Sequence, residues 1–206
     1  MYELFRGQNT FNDDISNWNT SQVTTMLGMF RNSAFNQPVG SWDTSQVTSM
    51  RQMFNGAMAF NQAVASWNTS QVIDMESMFQ NALKFNQAVG SWNMSKNGYM
   101  GGMFANAIAF NQAVGSWDTS QVFRMYGMFA GASVFNQAVG SWNTSKVTNM
   151  GDMFNASSSL NQNLCQWRSA FPYNNADDIF VNSGCTYKAT PVSSTKQNWC
   201  AVTTCN

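Results

Sequence analysis

Phe35-Asn36-Gln37-Pro38-Val39-Gly40-Ser41-Trp42-Asp43-Thr44-Ser45-Gln46-Val47, continued through Met50, Met53-Phe54 and Ala57, is the stretch from which the rest of the chain can be read. Units of the same kind open at Phe60, Phe85, Phe110 and Phe135, each 25 residues on, and an earlier one opens at Phe11, one residue short. The tryptophans hold the same register at Trp18, Trp42, Trp67, Trp92, Trp117, Trp142 and Trp167, with one step of 24 and then steps of 25. Self-similarity at a fixed period of this length is the mark of one supersecondary unit stacked many times, each burying its apolar face on its neighbours.

Two periods run inside a unit. Val47, Met50, Met53, Phe54 and Ala57 follow the spacing of one helix face, and Asp43-Thr44-Ser45 just before them supplies N-cap oxygens. Phe35, Val39 and Trp42 read as inward groups of a short strand, with Gly40 allowing close stacking. The expected fold class is therefore an α/β repeat solenoid, a leucine-rich-repeat-like stack of short parallel strands and helices. Residues 1–159 form the array, and residues 160–206 form a divergent last repeat with a cysteine-containing, disulfide-stapled cap.

The consensus F-N-Q-x-V-G-S-W-D/N-T-S-Q/K-V-x-x-M-x-x-M-F-x-x-A resembles the repeat of BspA-like leucine-rich-repeat surface proteins, over roughly residues 1–185. That resemblance implies a horseshoe-like solenoid, secreted or surface-attached, used for adhesion or protein binding. It implies no catalytic residues.

Composition points the same way. The 206 residues carry 10 Lys+Arg against 10 Asp+Glu, so no basic field exists to hold nucleic acid or anionic lipid. No apolar run is long enough to insert in a membrane. With no His, the commonest general base and metal ligand are both missing. The pairs Asp13-Asp14 and Asp177-Asp178 have no partner base, so no enzyme, no metal and no cofactor is expected.

The chain opens inside a repeat, since Met1-Tyr2-Glu3-Leu4-Phe5 aligns with Met26-Leu27-Gly28-Met29-Phe30, and no signal peptide precedes it. An open edge there predicts self-association through the N-terminal end unless further repeats cover it. All four cysteines fall at the other end: Cys165, Cys185, Cys200 and Cys205. They read as a disulfide staple made in an oxidising compartment. Of the three possible pairings, Cys165–Cys185 with Cys200–Cys205 is favoured, because the first pair falls within one repeat unit.

Residues repeated in every unit fill the core or cap turns. The Asn row beginning at Asn12 and Asn36 is read as a buried amide ladder that satisfies backbone groups. Gln37, Gln62, Gln87, Gln112 and Gln137 form a more ambiguous polar row. Four of the five Asn-x-Ser sequons, at Asn19, Asn68, Asn93 and Asn143, share a position that Asp43 and Asp118 also occupy, which favours capping over glycan attachment.

Selectivity must then lie where units differ: Ile73-Asp74, Gly98-Tyr99 and Phe123-Arg124 before the first Met, and Arg51-Gln52, Glu76-Ser77 and Tyr126-Gly127 between the two. Tyr99, Phe123, Arg124 and Tyr126 occur once each, in adjacent units, beside the irregular Met94 and Asn97-Gly98. They are the candidate ligand-binding residues, because exposed aromatics with Arg have the composition of a binding surface. The alternative is that Phe123 and Tyr126 fill space left by Gly98 and Gly101. The expected function is a non-enzymatic, secreted or cell-surface scaffold for extracellular protein or glycan. A structural or self-assembling matrix protein is the alternative, with ice binding through the Thr20, Thr44, Thr69, Thr119 and Thr144 row a remote one.

Overall fold

The computed structural model describes residues 1–193 and 199–200. Among these residues no α-helix forms, and the one helical element is a 3-10 helix at Cys165–Ala170. Successive units lie on one another as coils, joined by single parallel bridges from Thr25 to Ser49, Asp74, Tyr99, Arg124 and Asn149 in turn.

The segment expected to be a helix is a run of turns. Along Met50–Ala57 the amides alternate in their partners. Met50, Gln52, Phe54 and Gly56 donate up to Asp74, Glu76, Met78 and Gln80 of the next coil at 2.7–3.0 Å. Met53, Asn55 and Ala57 donate three residues back to Met50, Gln52 and Phe54. A helix would send every amide four residues back, leaving none for the neighbouring coil. Left-handed residues make the alternation possible: φ is 56° at Gln52 and 72° at Gly56, and the same two positions are left-handed in other coils. The apolar positions expected on a helix face are all buried nonetheless: Val47, Met50, Met53, Phe54 and Ala57 have no exposed surface.

The helix caps are likewise replaced by turns that use the same chemistry. Asp43 Oδ1 accepts the Ser45 amide at 2.9 Å, and Asn68, Asn93, Asp118 and Asn143 do the same for the serine two residues on. These are Asx turns, for which Asn and Asp are equivalent. The extended segment from Phe35 to Trp42 is not a strand either, and closes on a turn in which the Trp42 amide meets the Val39 carbonyl.

The core is built from columns of aromatic rings. Phe54, Phe79, Phe104 and Phe129 stack with centroids 5.6 Å apart, and each packs at 3.7–3.9 Å on the ring that opens the next unit, Phe60, Phe85, Phe110 or Phe135. Trp42, Trp67, Trp92, Trp117 and Trp142 form a third buried column. Each indole N–H donates to a carbonyl of the preceding coil, those of Ile15, Val39, Val64, Val89 and Val114, at 2.9–3.1 Å. Burying an indole without such a partner would leave its N–H unsatisfied.

The first residues take the place expected from their alignment: Glu3 and Phe5 donate to the carbonyls of Leu27 and Met29. At the other end the ladder runs on past residue 159, with Phe154 donating to Ile179 and Ala156 to Val181.

The disulfides differ from expectation. Cys185 bonds Cys200, with Cα atoms 4.5 Å apart. Cys165 is also disulfide-bonded, so neither Cys165–Cys185 nor Cys200–Cys205 forms; Cys205 lies outside the described residues. The cause is a reversal of direction. Cys200 bridges Tyr187 and Asn163 antiparallel, and the Tyr187 amide donates to the Cys200 carbonyl at 2.9 Å. Backbone pairing, rather than membership of one repeat, sets the partner. Trp199 is buried beside it, edge-on to Phe171 at 4.8 Å.

Candidate functional site

Most of the repeated polar side chains are occupied inside the array. Asn36 Oδ1 accepts the Asn61 amide at 2.9 Å, and the same bond recurs from Asn12 to Asn161. The ladder is exposed at its outer side rather than buried, as at Asn61, Asn86 and Asn111. The glutamine row belongs to it, since Gln62, Gln87, Gln112 and Gln137 each donate back to the asparagine group of the coil before. Thr44, Thr69 and Thr119 are buried, with hydroxyls donating to the carbonyls of Asn68, Asn93 and Asn143. A buried threonine row presents no grid to ice.

The face carrying the bridge column is different, because its side chains change from coil to coil. One row reads Thr48, Ile73, Gly98, Phe123, Thr148, with each amide from Ile73 onward donating to the carbonyl before it. The threonines at its ends donate their hydroxyls along the stack, to the Thr24 and Phe123 carbonyls of the coil before. Ile73 is 50% exposed and Phe123 43%. The neighbouring row reads Ser49, Asp74, Tyr99, Arg124, Asn149, with Tyr99 37% exposed. Tyr99 and Phe123 lie 6.4 Å apart at 46°, and the Arg124 guanidinium sits 5.7 Å from the Tyr99 ring centre.

Glycines shape this surface. A β-carbon on Gly98 would come within 3.2 Å of the Phe123 ring, and one on Gly101 would collide with the Tyr126 ring. Both aromatics therefore lie over glycines of the coil below. Phe123 stays exposed in doing so, whereas Tyr126 is half-buried. Burial and then the Glu76 carboxylate push the Tyr126 phenol up to about 12.

Beneath Tyr126 lies a charged cluster. Arg51 Nη2 is 2.8 Å from the buried Glu76 carboxylate, and Arg51 Nη1 is 3.8 Å from Asp74. Burial raises the Asp74 pKa despite the Glu76 amide and Arg51, both of which favour its ionised form.

The four candidate residues thus share one face, with Tyr99, Phe123 and Arg124 at its surface and Tyr126 partly in the packing. An open depression of about 480 Å³ adjoins them, lined by Ile73, Ser95, Lys96, Gly98, Tyr99, Gln121 and Phe123. Lys96 and Gln121 were not among the sequence candidates. Their signal is the alternation of Gln and Lys at one repeat position, where Gln46 and Gln71 are followed by Lys96, Gln121 and Lys146. Among the described residues no three His, Cys, Asp or Glu side chains gather as a metal site. Nor is any helix long and apolar enough to cross a membrane among them. Asp14 is held by the Ser16 amide and hydroxyl, which lower its pKa.

These features define a repeat protein in which the constant side chains build the coils and a few once-only side chains face outward. The chain belongs to the family described as Mycoplasma protein of unknown function, DUF285, whose model matches residues 1–112 and again residues 84–191. No curated protein and no solved structure matches it.

Proposed function

We propose that the chain is a non-enzymatic repeat solenoid of the BspA-like surface type, secreted or displayed at the cell surface, that binds extracellular protein or glycan. The observation that carries this reading is the contrast between the two kinds of position. The repeated Asn, Gln, Thr and Ser side chains bond within the array, while Tyr99, Phe123 and Arg124 are exposed and occur once. Aromatic and Arg side chains are the residues that most often anchor interfaces. The Cys185–Cys200 disulfide is compatible with an oxidising compartment.

A second reading, self-assembly into an extracellular matrix, draws on a separate surface where Met58, Ile108 and Val134 are 58%, 46% and 43% exposed. The deciding experiment presents the purified chain to a glycan array and to immobilised extracellular proteins, with sedimentation run in parallel. Saturable binding that depends on Phe123 and Arg124 supports the scaffold. Concentration-dependent assembly with no ligand binding supports the matrix reading instead.

A further inference from the structure

The depression over Gly98 has a chemical character that narrows the ligand, an inference that rests on the binding-scaffold reading. Ile73, Gly98 and the Phe123 and Tyr99 rings give it an apolar part, and Ser95, Lys96 and Gln121 complete the lining. The opening exists because glycine interrupts the row between two large side chains. Its rim is cationic. Among the described residues Lys96 Nζ bonds the neutral Gln71 Oε1, at 2.7 Å, and one coil on from Gln121 Lys146 repeats the arrangement at 2.6 Å. Arg124 rests on the Tyr99 ring.

Ion pairs among the described residues involve only Arg6 and Arg51 as cations, so Lys96, Arg124 and Lys146 have no carboxylate partner there. On this face the Asp74 and Glu76 carboxylates are paired with Arg51. An apolar hollow flanked by unpaired cations complements an apolar side chain flanked by carboxylates.

We propose that this depression receives a polypeptide segment of a partner protein in which a large apolar residue is flanked by Asp or Glu. The apolar side chain enters on the Ile73 side of the Phe123 ring, which itself leans over Gly98, and the carboxylates meet Lys96 and Arg124. A neutral glycan would leave those cations unused, and an anionic glycan would lack the large apolar anchor that the hollow fits.

The test uses the full chain against four synthetic probes: peptides with a Leu, Phe or Trp anchor flanked by Asp and Glu, the same anchors flanked by Lys, the acidic peptides with the anchor changed to Ser, and uronate oligosaccharides. Acidic anchored peptides should bind at least tenfold more tightly than either control peptide, with affinity falling as salt rises. Lys96→Glu with Arg124→Glu should reverse the preference toward Lys-flanked peptides. The milder Lys96→Gln with Arg124→Gln, which removes charge without reversing it, should erase the flank preference and keep the anchor dependence. Equal binding of acidic and basic peptides overturns the inference, as does unchanged preference in the folded charge-reversed variant. Binding of uronate oligosaccharides without acidic peptides overturns it too, but leaves the scaffold reading standing. If no probe binds while the glycan and protein panels are also silent, both fail together.

Discussion

The Trp92 indole N–H donates to the Val64 carbonyl of the preceding coil at 3.0 Å, while its ring stacks on Trp67 at 6.4 Å and Phe79 at 6.2 Å. One side chain thus ties three groups across two coils. Trp92→Ala should cost about 3–5 kcal/mol, the range for emptying a buried aromatic site. Trp92→Phe keeps a ring and loses the donor, so it should cost less. Hydrogen exchange should show the damage confined to the coils flanking residue 92, because a stack of this kind is stabilised by neighbour contacts. Uniform loosening from end to end would contradict that.

Left-handed backbone positions give a second prediction. Ala156 has φ of 59° at the place where Gly56 and Gly131 stand at 72° and 69°. A side chain in that region costs about 1 kcal/mol or more relative to glycine. Ala156→Gly should therefore raise the thermal midpoint. The reverse change, Gly131→Ala, should lower it by more, since the new β-carbon also collides with the Asn106 amide.

These same positions explain what was legible in the sequence. The period, the tryptophan column and the buried apolar set all follow from the spacing of large residues, which any stacked repeat must keep in register. The conformation between Val47 and Ala57 does not, because apolar residues three and four apart fit both a helix and a run of turns with alternating left-handed residues. The distinguishing sign was Asn32, Gly56, Asn81, Asn106 and Gly131 at one position, residue types that tolerate positive φ. Gln52 and Ser77, left-handed as well, carry no such sign. At the surface, Tyr99, Phe123 and Arg124 were findable because they occur once. The hollow beside them was not, since it depends on how the row of Ile73, Gly98 and Phe123 lies next to Lys96.

The Cys185–Cys200 bond spans 15 residues, a loop for which the chain-entropy account gives about 3 kcal/mol. Replacing both cysteines by Ser should speed exchange at the amides of Gly184 and Tyr187, which bond to Ser157 and Cys200. Exchange at Phe104 and Phe129, in the central coils, should not change. A global loss of protection would show that the cap holds the whole array.

Asp74 supplies the pH prediction. Its folded pKa is raised above 3.8, chiefly by burial, so the folded chain binds this proton more tightly than the unfolded one. The stability difference is therefore in full effect below the unfolded pKa and is lost as pH rises through the folded value. Asp74→Asn removes the charge and keeps an oxygen for the Glu76 amide, which Asp74 Oδ1 now accepts at 2.9 Å. The variant should be more stable than the parent near neutral pH, with the gain shrinking in acid. Denaturant melts across pH 3 to 8, about the range set by ordinary carboxylates, will show whether the two curves converge in this way.

The last prediction separates binding from packing on the exposed face. Phe123 and Arg124 are exposed and lie outside the buried Val122, Met125, Met128 and Phe129 set, so Phe123→Ala with Arg124→Ala should leave the melting curve nearly unchanged. Tyr126→Ala is a different case. That ring covers Gly101 and adjoins the Glu76 carboxylate, so its loss opens the charged cluster to water and should lower stability as well as affinity. Adding it to the other two changes would mix the two effects. For whatever ligand the panels identify, the Phe123 and Arg124 pair should weaken binding by more than about 2 kcal/mol, as truncating interface anchors does. Parent-like affinity in a variant with a parent-like melting curve would remove this face from the binding site. The next surface to probe would then be the outer edge of the array, where Met58, Ile108 and Val134 stand exposed.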